Sequence, residues 1–437
     1  MIPIPSHAVR HVGRSYFTQR FHPVGANANT TDDGWLEGLP ILQPARQRFL
    51  GGDALLQLGS LQIPLSQEVD QARGGELWVA HSNGRTVTAG GINDGSLVLG
   101  FDPWFAMGAG LLGVATPSGG SNNIAEREHT PWVDRFAQEF ALALGRVGIN
   151  LRPRRPWPGG APFAVCLTHD VDRSRKTYQY LTHLGRPKGL RGAGKPRRRG
   201  GRPYWGFDTV RDLESDAGVR STFFMLHEGP EAKRGLRNRA LAWGLADFED
   251  PEIASTVTSF ARDNWEIGLH ASLASTLSPD RIPLEKRKLE AIVGRKVNGV
   301  RQHHLRLHLP NRWDEFARAG LVYDSSFGFA HTWGFRGGTA FPHLLAGSKD
   351  VLSLHEVPLH IMDSALASCY DAWAECMRAL DAVQSVGGVL TVLFHQRYFD
   401  LRNFAGYADL YESLILEAKR RHAWVATAGD VTGAWSQ

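Results

Sequence analysis

A chain of 437 residues is too long for one core of ordinary size, so two or three domains are expected, with two as the working division. A hydrophobic content of 42% with 21% charged residues excludes a disordered chain, and no run approaches the roughly 18 apolar residues of a membrane helix. The net charge of +5 is local: residues 173–207 hold eleven Lys and Arg and no Asp or Glu, and the balance turns negative once they are set aside.

Residues 1–30 contain no apolar stretch of secretory-signal length, and the three cysteines, Cys166, Cys369 and Cys376, show neither disulfide-framework nor metal-finger spacing. A cytoplasmic protein without a transmembrane segment is expected. Residues 1–150 read as a small accessory α+β domain. In it "GELWVAHSNGRTVTAGGINDGSLVLGF" gives short strands with Asn83-Gly84 as a hairpin turn. "HTPWVDRFAQEFALALGRVG" then gives a helix with Thr130 as N-cap and Pro131 at its first position. The Pro/Gly-rich stretch 151–162 reads as a linker.

From 163 to 437 short apolar runs alternate with amphipathic helices, the pattern of parallel strands joined by helical crossovers. Strands are predicted at 163–169, 220–226, 264–270, 297–302, 321–325, 354–360, 388–395 and 423–427. The clearest helices are "IPLEKRKLEAIVG", with Gly294 as its stop, and the segments 371–386 and 407–420. Seven or eight such units over about 275 residues favour an irregular barrel over an open sheet.

These strands end in groups that bind metals or move protons. The first ends in His169, Asp170 and Asp172, the third in His270, and the fourth in Arg301, His303 and His304. The fifth ends in Asp324, the sixth in His360 followed by Asp363, and the seventh in His395. Any one of them alone is more often a loop cap, an ion-pair residue or a satisfied core histidine. In parallel β/α folds, however, the C-terminal strand ends share one crevice, so their coincidence points to a site. Carboxylates and histidines without a cysteine set suit a divalent cation such as zinc, manganese or cobalt. A free carboxylate as base and a histidine as acid would then hydrolyse an amide or ester. Strand alternation turns His169 away from the face of Thr168 and Asp170, toward packing.

The ordered segments "LTHDVD", "EIGLH", "GVRQHHLR", "GLVYDSSFGF", "VPLHIMD" and "VLFHQ" resemble those of the polysaccharide deacetylase superfamily, the NodB-type carbohydrate esterases, in a divergent branch. The resemblance runs from Phe163 to about His395. It implies a distorted (β/α)7 barrel, here preceded by the α+β domain, that removes acetyl groups from sugars with a divalent metal, zinc foremost. By position, Asp170 resembles the general base, Arg301 its brace and His395 the general acid. Asp172 and His270 resemble metal ligands, and the backbone around His303 and His304 falls at the oxyanion donor. Asp324 falls near the acetyl pocket; with His360 and Asp363 it is assigned to the substrate pocket.

The family's second metal histidine stands four residues after the first, a position held here by Ala274. His303 or His304 is the expected third ligand, with Ser272 a weaker substitute. The function implied is hydrolysis of a C–N amide bond, N-deacetylation of a sugar in a glycan or glycan precursor. The alternative is a catalytically silent glycan-binding or scaffold protein on the same barrel, and a lesser one is an Asp-x-Asp phosphoryl-transfer enzyme. The basic insertion 173–207, with Tyr178, Tyr180, Tyr204 and Trp205 among its arginines, is either a solvated loop or a contact for an anionic glycan precursor. No fold signal supports nucleic acid.

Overall fold

The computed structural model describes residues 4–24, 36, 39, 41–42, 48–50, 55–58, 61–65, 67, 69–72, 74–82, 85–113, 128–177, 189–191, 202–228, 244–248 and 250–437. They form two compact units, one of Met1–Arg155 with Phe335–Leu352, the other of Pro156–Gly334 with Ser353–Gln437. Among the described residues, no helix is long and apolar enough to cross a membrane.

Among the described residues, the first unit sets three helices with a mixed sheet whose strands run in the order 41–42, 96–99, 85–93, 75–82, 55–58 and 61–64. The Asn83-Gly84 turn lies outside the described residues, but the strands flanking it pair antiparallel with Ser82 opposite Arg85. The helix Ser6–Arg20 crosses Pro103–Leu111 so closely that a Cβ on Gly13 would stand 2.0 Å from the Trp104 carbonyl oxygen. Glycine is the residue that permits that approach. Helix Trp132–Arg146 opens one residue later than expected. Pro131, at φ −75° and ψ 70°, makes an inverse γ-turn in which Trp132 N–H donates to the Thr130 carbonyl, so Thr130 is not the cap. Buried Asp134 on that helix accepts hydrogen bonds from Thr339 Oγ1 (2.7 Å) and Ala340 N (2.9 Å), which binds residues 335–352 into this unit.

The second unit is a distorted β/α barrel. Its strands are β1 (Ala164–Val171), β2 (Thr222–Leu226), β3 (Glu266–Ala271), β4 (Gly299–Gln302), β5 (Tyr323–Asp324), β6 (Val351–Glu356), β7 (Ile361–Met362), β8 (Val389–Leu393) and β9 (Trp424–Ala426). All the pairings among them are parallel, in the order β6-β5-β4-β3-β2-β1-β8-β7, with β9 beside the start of β1. Every residue of β1, β2 and β8 is buried, as expected of strands covered on both faces. β1 and β4 are three strands apart, about 14 Å on a flat sheet at the usual spacing. Yet Arg301 on β4 donates to Thr168 on β1 at 2.8 Å, so the sheet curls on itself.

The helices are α1 (Phe207–Asp216), α2 (Pro251–Arg262), α3 (Arg281–Val293), α4 (Asn311–Arg318), α5 (Asp363–Leu366), α6 (Ala372–Val386), α7 (Tyr407–Arg420) and α8 (Ala428–Ser436), of which α3, α6 and α7 are the three placed from the sequence. Gly294, at φ 73°, closes α3 in the left-handed region, the stop read from the sequence. One strand is displaced. The run expected at 354–360 pairs as Val351–Glu356 and breaks before Pro358, which has no N–H for a ladder. His360 therefore does not end a strand; it precedes β7.

Candidate active site

Asp170, on the inward side of β1, has one oxygen held and one free. Arg301 Nη1 donates to Asp170 Oδ1 at 2.9 Å and to Thr168 Oγ1 at 2.8 Å, while its Nε and Nη2 donate to Ser325 O (2.7 Å) and Ser325 Oγ (2.8 Å). The guanidinium lies over the Phe224 ring, 4.4 Å from its centroid. This fully buried fork fixes the carboxylate's orientation. Asp170 Oδ2 is left facing His270 Nε2 at 3.5 Å.

Two residues on, Asp172 leaves the end of β1. Its Oδ1 lies 3.2 Å from His270 Nε2 and 3.8 Å from His303 Nε2; its Oδ2 lies 3.3 Å from His395 Nε2 and accepts from Arg397 Nη1 at 3.0 Å. Burial opposes charge on this carboxyl, but His395, His270 and His303 outweigh it and hold Asp172 well below the usual carboxylate range.

The donor atoms of Asp172, His270 and His303 all lie within 4.8 Å of one another. Asp172 Oδ1 is buried and accepts no hydrogen bond. His270 turns Nδ1 to the Arg301 carbonyl at 2.9 Å, and His303 turns Nδ1 to Glu228 Oε1 at 3.4 Å, so each ring presents Nε2 to that oxygen. Three potential ligand atoms thus converge on one point. A single proton joins two of them, whereas a divalent cation satisfies all three, and the set of one carboxylate and two imidazoles suits zinc. These residues can hold a metal.

Of the two candidate third ligands, the structure brings in His303 and not His304. His304 is exposed, at φ 57°, and stacks on His303 with ring centroids 4.1 Å apart. Leu305 follows at φ 53°, so two non-glycine residues occupy the left-handed region where the chain turns around His303. Such residues persist where the surroundings over-determine them, and they cluster at functional sites. Ser272 is engaged elsewhere, with its N–H and hydroxyl on Glu285.

His395, just past β8, forms the opposite wall. Asp363 at the start of α5 accepts from its backbone N (2.5 Å) and faces Nδ1 with both oxygens, at 3.0 and 2.9 Å. Burial alone would lower the imidazole's pKa, but Asp363 and Asp172 push it up to about 10, so the ring is charged at neutral pH. Asp363 is thus a brace for His395, not an open pocket wall. His360 Nδ1 accepts from Thr391 N at 3.1 Å, which spends that nitrogen on β8. Asp324 is fully buried, bonded by Ser326 Oγ and by Trp313 Nε1 at 3.2 Å, beside Glu356, whose carboxyl pKa is pushed well up by burial and Asp324 together. Asp324 is thus a buried residue at the end of β5, closed off from the mouth by these partners.

His169 faces away as expected, with Nδ1 on the Phe394 carbonyl and Nε2 on Glu214 and Tyr411. Glu228 and Arg397 escaped the sequence reading. Glu228 lies two residues past β2, where the strand-end rule would have found it. Arg397 sits in a short 3-10 turn two residues past His395, where the sequence marks it as an ordinary surface arginine.

No family model matches the chain, and no curated protein does. Among solved structures it is similar to a protein assigned as a polysaccharide deacetylase from Mycobacterium smegmatis, with 18% identity over 64% of this chain and 92% of that one and a TM-score of 0.44. The Puue allantoinase matches at 13% identity over 65% and 94%, with a TM-score of 0.43. BA3943, a CE4 family pseudoenzyme from Bacillus anthracis, matches at 12% over 62% and 65%, with a TM-score of 0.33. Likenesses at these identities and scores assign no activity. What the structure itself shows is a distorted β/α barrel with carboxylates and histidines gathered at the C-terminal ends of its strands.

Proposed function

We propose that the protein is a metal-dependent hydrolase of a C–N amide bond that removes N-acetyl groups from a sugar in a glycan or an anionic glycan precursor. The observation that carries this reading is the convergence of three groups at one barrel mouth: Asp170 with Arg301, Asp172 with His270 and His303, and His395 with Asp363. A divalent cation, zinc foremost, would be held by Asp172, His270 and His303 and would supply Lewis-acid polarisation of the acyl group and of water.

In this reading Asp170 takes the proton of the attacking water on Oδ2 while Arg301 holds Oδ1 in place. The new C–O bond forms at the acyl carbon and its carbonyl oxygen gathers the negative charge. His395, kept protonated by Asp363, gives its proton to the sugar nitrogen as the C–N bond breaks, releasing acetate and the amine. Each such positioned transfer is worth about 10²- to 10⁴-fold.

A second reading has a specific observation behind it. Arg397 places a guanidinium 3.0 Å from Asp172 Oδ2, supplying positive charge beside the carboxylate that a metal would use. That favours a silent glycan-binding barrel. Acetate release from a panel of N-acetylated oligosaccharides separates the two: the hydrolase releases it with loaded metal and loses it in Asp170→Asn, whereas the silent barrel releases none. The cytoplasm is the proposed compartment.

A further inference from the structure

Ala274 leaves the loop after β3 without a histidine, and the residue that takes up the position near Asp172 comes from the turn after β4. One side chain touches both places. Glu228, 5% exposed, accepts from the backbone N–H of Leu273 on Oε1 at 2.9 Å, and the same oxygen faces His303 Nδ1 at 3.4 Å. It joins the loop that lacks the ligand to the residue that replaces it.

We propose that Glu228 is a positioning residue for His303: it accepts a hydrogen bond from Nδ1–H, which keeps the proton on Nδ1 and turns the Nε2 lone pair toward the cation that Asp172 and His270 share. The inference rests on the metal-site reading. A ring nitrogen bonded to a carboxylate leaves its partner nitrogen as an oriented, more basic ligand, the usual arrangement behind metal-bound histidines. The competing state is concrete. With its proton on Nε2, His303 would point an N–H instead of a lone pair toward Asp172 Oδ1, 3.8 Å away, and offer a cation no ligand. Which tautomer prevails is decided at Nδ1, and Glu228 is the group found there.

Glu228→Gln tests this, because the one atom that meets both Leu273 N and His303 Nδ1 becomes either a neutral amide oxygen, a weaker acceptor than a carboxylate, or an NH₂ that offers Nδ1 a donor. The measurements are the Zn²⁺ dissociation constant of the full chain by chelator competition and the d–d spectrum of the Co²⁺-loaded protein. The expected result is a 10- to 100-fold weaker Kd and a changed Co²⁺ spectrum. In a His303→Ala background the same substitution should leave Kd within about two-fold, since residues acting through one another are not additive. Should Glu228→Gln lose its thermal transition, Glu228→Asp, which retracts the carboxylate, enters the same cycle with the same expectation. An unchanged Kd and spectrum, or an equal loss in both backgrounds, overturns the role of Glu228 and leaves the metal site standing. Absence of saturable Zn²⁺ binding by the unsubstituted chain overturns both.

Discussion

Replacing Asp363 by Asn isolates the proposed acid step. The asparagine keeps the side chain's shape and an oxygen for the His395 backbone N–H, but it removes the charge that most raises the His395 pKa. The ring then reverts toward a neutral imidazole, and its proton is no longer held for the leaving amine. Losing one positioned proton transfer should lower kcat by about 10²- to 10⁴-fold, or roughly 3–5 kcal/mol of barrier. The assay pairs two substrates: an N-acetylated oligosaccharide, whose amine must be protonated to leave, and an activated aryl acetate, whose phenolate leaves unaided. The amide rate should fall by the full factor and the ester rate by about three-fold at most. An equal fall for both, or an undiminished amide rate, refutes the assignment of His395 as acid.

Arg301→Ala strips Asp170 of its partner and leaves Thr168 and Ser325 without their donors inside the barrel. Breaking such a buried pair costs about 3–5 kcal/mol, which denaturant titration should detect as a lower midpoint. Burial pushes the Glu285 carboxyl up to about 7, against a reference of 4.5. The folded chain therefore holds a proton there that the unfolded chain has lost, and stability should fall as pH rises from about 4.5 to about 7. Glu285→Gln removes that slope, so the difference in Tm between pH 5 and pH 8 should shrink; an unchanged difference would place the titration elsewhere. Deleting residues 178–202 should weaken binding of an anionic glycan at low salt while leaving the thermal transition in place, and the effect should fade at high salt. Equal affinity at low salt would make the insertion a solvated loop.

What was legible in the sequence is what strand polarity dictates. A buried parallel strand reads as an apolar run, and its C-terminal end must lie at the shared mouth, so Asp170, Asp172, His270, Arg301 and His395 could be picked out before any coordinates. Side-chain reach was not legible. Whether His303 or His304 faces the mouth depends on a left-handed turn at His304 and Leu305, which neither residue type announces. His360 was misplaced because Pro358 ends the ladder early, a signal that was present in the sequence and outweighed by the apolar run. Asp363 and Asp324 look alike in sequence as carboxylates near strand ends, yet one braces His395 and the other is fully buried against Ser326, Trp313 and Glu356. Arg397 and Glu228 act on neighbours 225 and 75 residues away, and nothing in local sequence encodes that separation.

The central claim is that Asp172, His270 and His303 together hold a divalent cation. Anomalous diffraction at the zinc edge from crystals grown with Zn²⁺ tests it most directly. The account predicts one strong peak within coordination distance of Asp172 Oδ1 and both Nε2 atoms, absent from crystals of His303→Ala. No peak at that position, with Asp172 neutralised by Arg397 and His395, would contradict it.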